Sequence, residues 1–257
     1  MNNIVIIGGA TGIGLSLIRR LMNDPDYRIT SIARETCDVE GVTNIVADVT
    51  DDKTIVRAIA ESGKIDTLVY CAGISLAAPV EYAKKADIKN IFDVNIISAI
   101  LCIKAALPAL CESEHPKIVL LSSSGSIAPI AYDSFYSATK AGLNALAMAL
   151  RLECPKIKCS AVIVPGTQTL FSFRRKIYDD CGDYNDTLKS AAKALQNIEQ
   201  SGYSADYVSS QIINILEKRD PPPVCTVGCM NKVMLGLYKI LPWRLKLYAL
   251  KKIYRLK

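Results

Sequence analysis

The sequence predicts an α/β fold of three layers, a doubly wound arrangement around a seven-stranded parallel sheet. Three observations carry that prediction. Short apolar runs alternate with helix-period segments from the first residues to about residue 228. The first run, Asn3 to Ile7, breaks into Gly8-Gly9-Ala10-Thr11-Gly12-Ile13-Gly14 and then a helix through Leu15, Ile18 and Leu21. A later run, Ile118 to Leu121, breaks at Ser122-Ser123-Ser124 ahead of a helix bearing Tyr136 and Lys140 one turn apart.

Composition narrows the class. At 257 residues and 50% hydrophobic content the chain suits one α/β domain, and it shows no internal repeat or low-complexity tract. Met1-Asn2-Asn3 lacks the basic start of a leader, and no apolar run reaches the ~18 residues of a spanning helix, so a cytoplasmic protein is expected. Nine cysteines without a Cys-x-x-Cys pair, and a single histidine, His115, argue for free thiols and against a metal site or a Ser-His-Asp triad. Eight of the 31 bases and none of the 25 acids lie beyond Asp220. The net charge of +6 therefore belongs to the tail, which argues against nucleic acid as a partner.

The strand, glycine turn and helix at the start form the opening of a dinucleotide-binding βαβ unit. Glycines let the backbone approach a pyrophosphate, and the helix N-terminus attracts its charge. The competing reading, a glycine-rich turn without a ligand, is weakened by the motif's place between strand and helix. A second strand, Arg28 to Ala33, ends at Arg34. In such folds this position faces the adenosine ribose, where an acid would bond the 2′-hydroxyl of NAD. Ala33 offers no acid and the Arg34 guanidinium suits a 2′-phosphate, so NADP(H) is expected. The alternative is a solvated arginine at a strand end. A third strand, Thr43 to Ala47, leads to Asp48-Val49 and a helix capped by Thr50 or Asp51. Strand four, Thr67 to Tyr70, runs into Cys71-Ala72-Gly73. Asp48 stands where a carboxylate can accept from the adenine amino group, and Gly73 where backbone passes the cofactor. Each also reads as an ordinary turn residue.

Residues Tyr82 to Phe92 and Asp93 to Leu110 read as two helices, the second apolar on most faces. Such a helix packs between the sheet and a second layer, often another subunit, so a homodimer or homotetramer is expected. Asn95, near its start, reads as an asparagine bonding backbone. The serine strand and the helix Phe135 to Glu153 then bring a hydroxyl, a phenol and an ammonium to one strand edge, a site for proton transfer. Strand six, Lys158 to Val164, ends at Pro165-Gly166. Residues 167–202 form a long insertion of mixed character, placed to act as a substrate lid. A helix from Ala205 to Glu217, capped by Ser204, precedes Pro221-Pro222-Pro223 and a last strand, Val224 to Val227. In the remaining 229–257 extension Pro242 separates two helices. On a wheel, Trp243, Leu247, Leu250 and Tyr254 fall together, with Arg244, Lys251, Lys252 and Arg255 to one side. This is the pattern of a basic amphipathic helix in peripheral contact with a membrane. A helix docked over the substrate cleft, or against a subunit partner, is the alternative. The membrane and cleft readings alike suggest a lipophilic substrate.

Together these residues resemble the short-chain dehydrogenase/reductase family over about residues 3 to 228. The pieces are Gly8-x-x-x-Gly12-x-Gly14, Asp48-Val49, Cys71-Ala72-Gly73, Asn95, Ser123, Tyr136-x-x-x-Lys140 and Pro165-Gly166. The resemblance implies a Rossmann fold, with residues 1–228 as an NADP-binding catalytic domain and 167–202 as its lid. It implies Tyr136 as acid and base, and Ser123 as its partner; Ser122 and Ser124 leave a one-residue shift open. It implies that Lys140 holds the nicotinamide ribose and lowers the tyrosine pKa, and that Asn95 supports a water-linked proton relay. Cofactor contacts would come from Gly8, Thr11, Gly12, Ile13, Gly14, Arg34, Asp48, Val49, Cys71, Ala72 and Gly73. Tyr136, Lys140, Pro165, Gly166, Thr167 and Thr169 would complete them. Three positions depart from the family pattern: Ile7 for a threonine, Cys71 for an asparagine, and Thr11 where NADP-preferring members often carry a base. The expected activity interconverts a carbonyl and a secondary alcohol on a steroid-like or lipid-like substrate. The alternatives are a 3-oxoacyl or small-ketone reductase and, in another class, a non-catalytic NADP-binding regulator. The intact Asn95, Ser123, Tyr136 and Lys140 argue against the regulator.

Overall fold

In the first strand, Ile4 and Ile6 are buried on one side of the sheet and Val5 and Ile7 on the other. A strand with no polar face must be covered twice, and that requirement sets the architecture. The computed structural model describes residues 1–256. Strands β1 (Asn2–Ile7), β2 (Tyr27–Ala33), β3 (Thr43–Val46), β4 (Thr67–Tyr70), β5 (Lys117–Ser123), β6 (Lys158–Val164) and β7 (Val224–Thr226) form one parallel sheet. Their order is β7-β6-β5-β4-β1-β2-β3. The sequential order reverses between β1 and β4, so a crevice opens at the carboxyl ends of those two strands.

Helices α1 (Gly12–Leu21), α2 (Asp52–Glu61), α3 (Lys85–Glu112), α4 (Ser134–Glu153), α5 (Asn185–Gln200) and α6 (Ala205–Leu216) follow in chain order. One face of the sheet packs on α2, α3 and α4 through Ile55, Ile103, Leu110, Leu143 and Ala147. The other packs on α1 and α6 through Leu17, Ile18, Val208 and Ile212. Arg20 on α1 pairs with Asp206 on α6, joining that layer at its surface. Asp51 caps α2 by accepting from Lys53 N and Thr54 N, and Ser204 caps α6 by accepting from Tyr207 N.

Three expectations change. The two helices read across residues 82–110 are one helix of 28 residues, α3, starting only at Lys85. Its turns at Asp93–Ile97 are wider π-type turns, so helical periodicity slips there without the chain breaking. By length and composition alone α3 could cross a membrane. Here Ala99, Cys102, Ile103, Ala106 and Leu110 bury its inner side in the core.

The segment 167–202 is nearly half helix. Leu188, Ala191, Ala192 and Leu195 give α5 a buried stripe, although polar residues dominate the local composition. Two short parallel pairs, Leu76–Ala77 with Lys176–Ile177 and Thr167–Gln168 with Tyr203–Ser204, tie the segment down.

The extension folds as α7 (Cys229–Ile240) and α8 (Trp243–Ile253), divided at Pro242. The apolar stripe read on the wheel splits: Leu250 and Tyr254 turn into the protein, whereas Trp243 and Leu247 are exposed. Periodicity shows that a stripe exists but not what covers it.

Candidate active site

The crevice at the carboxyl edge is a cavity of about 790 Å³, lined mostly by apolar side chains. Of the residues expected from the sequence to be catalytic or to contact a cofactor, every one except Asn95 lines it. The glycine turn forms one end. Gly8 has φ +83, and a Cβ there would meet Ala72 N at 2.8 Å. A Cβ on Gly14 would stand 2.3 Å from the Gly8 carbonyl oxygen, so the turn closes only with bare backbone. Thr11 precedes α1 without a side-chain cap, and the first turn carries no acid. The first N–H groups of α1 therefore remain free for an anion.

The end at Arg34 lies at the surface. Arg34, exposed at the end of β2, lines the rim together with Glu35, an acid one position further on that sequence reading passed over. Asp48 Oδ1 accepts from the Thr50 N–H at 2.9 Å and the Thr50 hydroxyl at 2.7 Å. These bonds, and then Arg34, hold the Asp48 carboxyl below its usual range. Asp48 is thus both a turn residue and part of the cavity wall.

At the centre, β5 and α4 bring the serine strand to the phenol. The three serines have different tasks. Ser122 donates to the Lys140 carbonyl at 3.1 Å, and Ser124 shares its one hydroxyl proton between the Val164 carbonyl at 3.2 Å and Asn231 Oδ1 at 3.1 Å. Ser123 accepts from Gly125 N at 3.1 Å and lies beside the Tyr136 hydroxyl. Burial pushes the Tyr136 phenol well above its ordinary value, and the Ser123 hydroxyl partly offsets this. Lys140 is buried within α4, its Nζ 5.6 Å from the Tyr136 ring centre and donating to the Leu121 carbonyl at 2.7 Å. Burial lowers the Lys140 ammonium to about 8. With that one hydrogen bond among the described residues, the ammonium keeps donors for hydroxyls placed in the cavity. Glycine turn, free helix amides and Lys140 together fit the phosphates and ribose of a nicotinamide dinucleotide.

Asn95 is buried behind the cavity wall, in the π-type turns of α3. Its Oδ1 accepts from Ile74 N at 2.8 Å, and its Nδ2 donates to Ile74 O at 2.9 Å and Thr139 Oγ1 at 3.0 Å. The Tyr70 hydroxyl, at the end of β4, bonds Val94 O and Ser98 Oγ and holds the same turns. Asn95 therefore sits in mid-helix, not in an N-terminal turn. Cys71 leads out of β4, and burial raises its thiol to about 12, so it stays protonated.

The far wall comes mainly from the 167–202 segment, read as a lid, and from the tail helices, which the alternative reading docks over the cleft. Sequence reading assigned no wall residue there. Phe171 packs on Tyr136 with ring centres 5.7 Å apart, and Leu195, Glu199, Tyr203, Asn231, Met234 and Tyr254 line the cavity beside it. Behind this wall Arg175 donates to Ser75 Oγ at 2.8 Å and Glu199 Oε1 at 2.5 Å, with Asp133 Oδ2 at 3.6 Å. Two carboxylates share one guanidinium, and the buried Glu199 Oε2 has no hydrogen-bond partner among the described residues. Nothing local in the sequence marks this cluster.

A family model described as short chain dehydrogenase matches residues 2–177. A 3-ketodihydrosphingosine reductase of Bacteroides thetaiotaomicron is 27% identical, over 99% of this chain and 98% of its own length. A 3-dehydrosphinganine reductase of Arabidopsis thaliana is 35% identical over 59% of this chain and 50% of its own length. Among solved structures, a short-chain dehydrogenase from Streptomyces avermitilis superposes with a TM-score of 0.84, over 99% of this chain and 98% of its own, at 23% identity.

One titration is testable on this geometry. Burial first, offset by the Ser75 hydrogen bond, raises Asp133 to about 6. The folded protein then holds a proton that the unfolded chain, titrating near ~4, has released. The stability contributed by that proton is complete below about pH 4 and is lost as pH rises through about 6. Thermal unfolding of the native protein should therefore move to lower temperature, relative to Asp133→Asn, across about pH 4 to 6. Parallel curves would remove Asp133 as the source.

Proposed function

The chain belongs to the short-chain dehydrogenase family, and on that premise we propose that it reduces the ketone of a lipid-like substrate with NADPH, Tyr136 supplying the proton. The observation that carries this reading is the convergence of Ser123, Tyr136 and Lys140 in a largely apolar cavity whose other end is the glycine turn. The cofactor, when bound, supplies the hydride. The Tyr136 phenol, kept protonated by burial, is ready to donate to the carbonyl oxygen. Ser123, beside it, donates a hydrogen bond to the same oxygen. Lys140 binds the ribose hydroxyls and stabilises the phenolate left behind; Asn95 on α3, bonded to Thr139 next to Lys140 on α4, supports the relay that restores the proton. Tyr136→Phe should lower turnover by about 10²–10⁴-fold while leaving NADPH binding within a few-fold, measured by fluorescence titration. Wild-type turnover in that variant would remove Tyr136 from the chemistry.

For the cofactor, Arg34 favours the 2′-phosphate of NADPH, and Glu35 beside it is the competing feature. Arg34→Asp should weaken NADPH far more than NADH. An unchanged preference would transfer the reading of the ribose to another residue.

Within lipids, the favoured substrate is a long-chain 3-oxo amino alcohol of the sphinganine type. The names of the two relatives support this, and so does Glu199, which is half-buried on the wall with one unpaired oxygen and shares Arg175 with Asp133. Ionised, this cluster carries one surplus negative charge, and a substrate ammonium would balance it. Steroid-like, 3-oxoacyl and small ketones have no cation to offer it. Glu199→Gln should raise KM for the amino ketone by about tenfold or more and leave an uncharged long-chain ketone unchanged. Equal effects on both substrates would reduce Glu199 to a support of the wall.

A further inference from the structure

Helices α7 and α8 have two apolar sides, and only one of them is used by the fold. Inward, Asn231, Leu235, Leu250 and Tyr254 close the cavity, and the Ser124 bond to Asn231 ties α7 to the serine cluster. Outward, α7 exposes Met230, Val233, Met234, Leu237 and Ile240, each more than half accessible. Their spacing places them along one side of the helix, and Trp243, 66% exposed, stands just past the end of α7. Such a run on a protein surface marks a contact.

The charge around it indicates the partner. Between Cys229 and Leu256 there are seven bases, from Lys232 to Arg255, and no carboxylate. Arg244 lies over the Trp243 ring at 5.4 Å, Lys246 over Tyr238 at 5.3 Å and Lys252 over Tyr248 at 5.6 Å. Cations held on amphipathic rings beside an apolar stripe suit the headgroup layer of an anionic bilayer, where rings and ammonium groups sit at the same depth. A second copy of the chain would bring the same unbalanced positive charge to the contact.

We propose that the outer side of α7 and the corner at Pro242 dock on an anionic lipid surface, and that Met230 and Met234 mark the cavity mouth there. These two methionines are exposed and line the cavity as well. A lipid ketone would then pass from bilayer to cavity without crossing water, a corollary that rests on the substrate reading above. Docking itself does not.

The test is flotation of the whole protein with vesicles of phosphatidylcholine, with and without about 30 mol % phosphatidylserine. Wild type should float with the anionic vesicles and be released by salt. Val233→Glu with Leu237→Glu, at two positions outside the cavity lining, should lower partitioning roughly tenfold or more while turnover of a water-soluble ketone stays unchanged. Failure of wild type to float, or equal flotation of the double variant, overturns the proposal. So does a wild-type dimer in sedimentation that the double variant splits without any change in flotation. Flotation needs no substrate, so docking without turnover of any lipid ketone would refute the reaction reading alone.

Discussion

The carboxamide of Asn95 is the contact on which the site's geometry depends. It joins three pieces of chain that share no local sequence: α3, the loop after β4 and α4. Each hydrogen bond contributes only about 1 kcal/mol net, and stranding the partly buried Ile74 amide would add to that loss, up to about 1–3 kcal/mol. The wider turns at Asp93–Ile97 let one residue of a continuous helix reach sideways into this position. A methyl group on Gly73 would lie 3.4 Å from Lys140 Nζ and 3.5 Å from Asn95 Oδ1, so floor, lysine and clamp are in van der Waals reach of one another.

Burial acts on the two central titratable groups in complementary ways. It raises the Tyr136 phenol and lowers the Lys140 ammonium, because each charged form has lost its water. The phenol is therefore held as an acid. The lysine keeps its charge near neutrality with the help of one strand-end carbonyl. Across the cavity the balance is reversed, since Arg175 faces both Asp133 and Glu199. Of this cluster only Ser75 and Glu199 reach the lining of the cavity, which is otherwise mostly apolar.

The last part of the chain completes the site begun by the first. Tyr254 and Leu250 pack in the same cluster as Tyr136, Leu195 and Leu76. The serine cluster is bonded directly to α7 through Ser124 and Asn231. Residues 229–256 are therefore a wall of the cavity. The same helices leave an apolar outer side that stays exposed among the described residues.

Much was legible in the sequence because it is local. Strands buried on both faces read as apolar runs, and β4 and β6 have the bounds read from them; Gly8 and Gly14 are required by backbone contact, and Tyr136 and Lys140 share a face through helical spacing. The glycine-turn half of the cavity follows from those short motifs. What only the tertiary structure decided is non-local. It made one helix of two, because a π-type turn preserves the chain while spoiling the periodicity that sequence reading relies on. It selected the serine beside Tyr136, since Ser122 and Ser124 are committed to Lys140, Val164 and Asn231 on other elements. It turned Leu250 and Tyr254 inward, and it gathered Ser75, Asp133, Arg175 and Glu199 from four separate segments. Periodicity records that a side chain must be buried or paired. The partner is chosen by how distant elements pack.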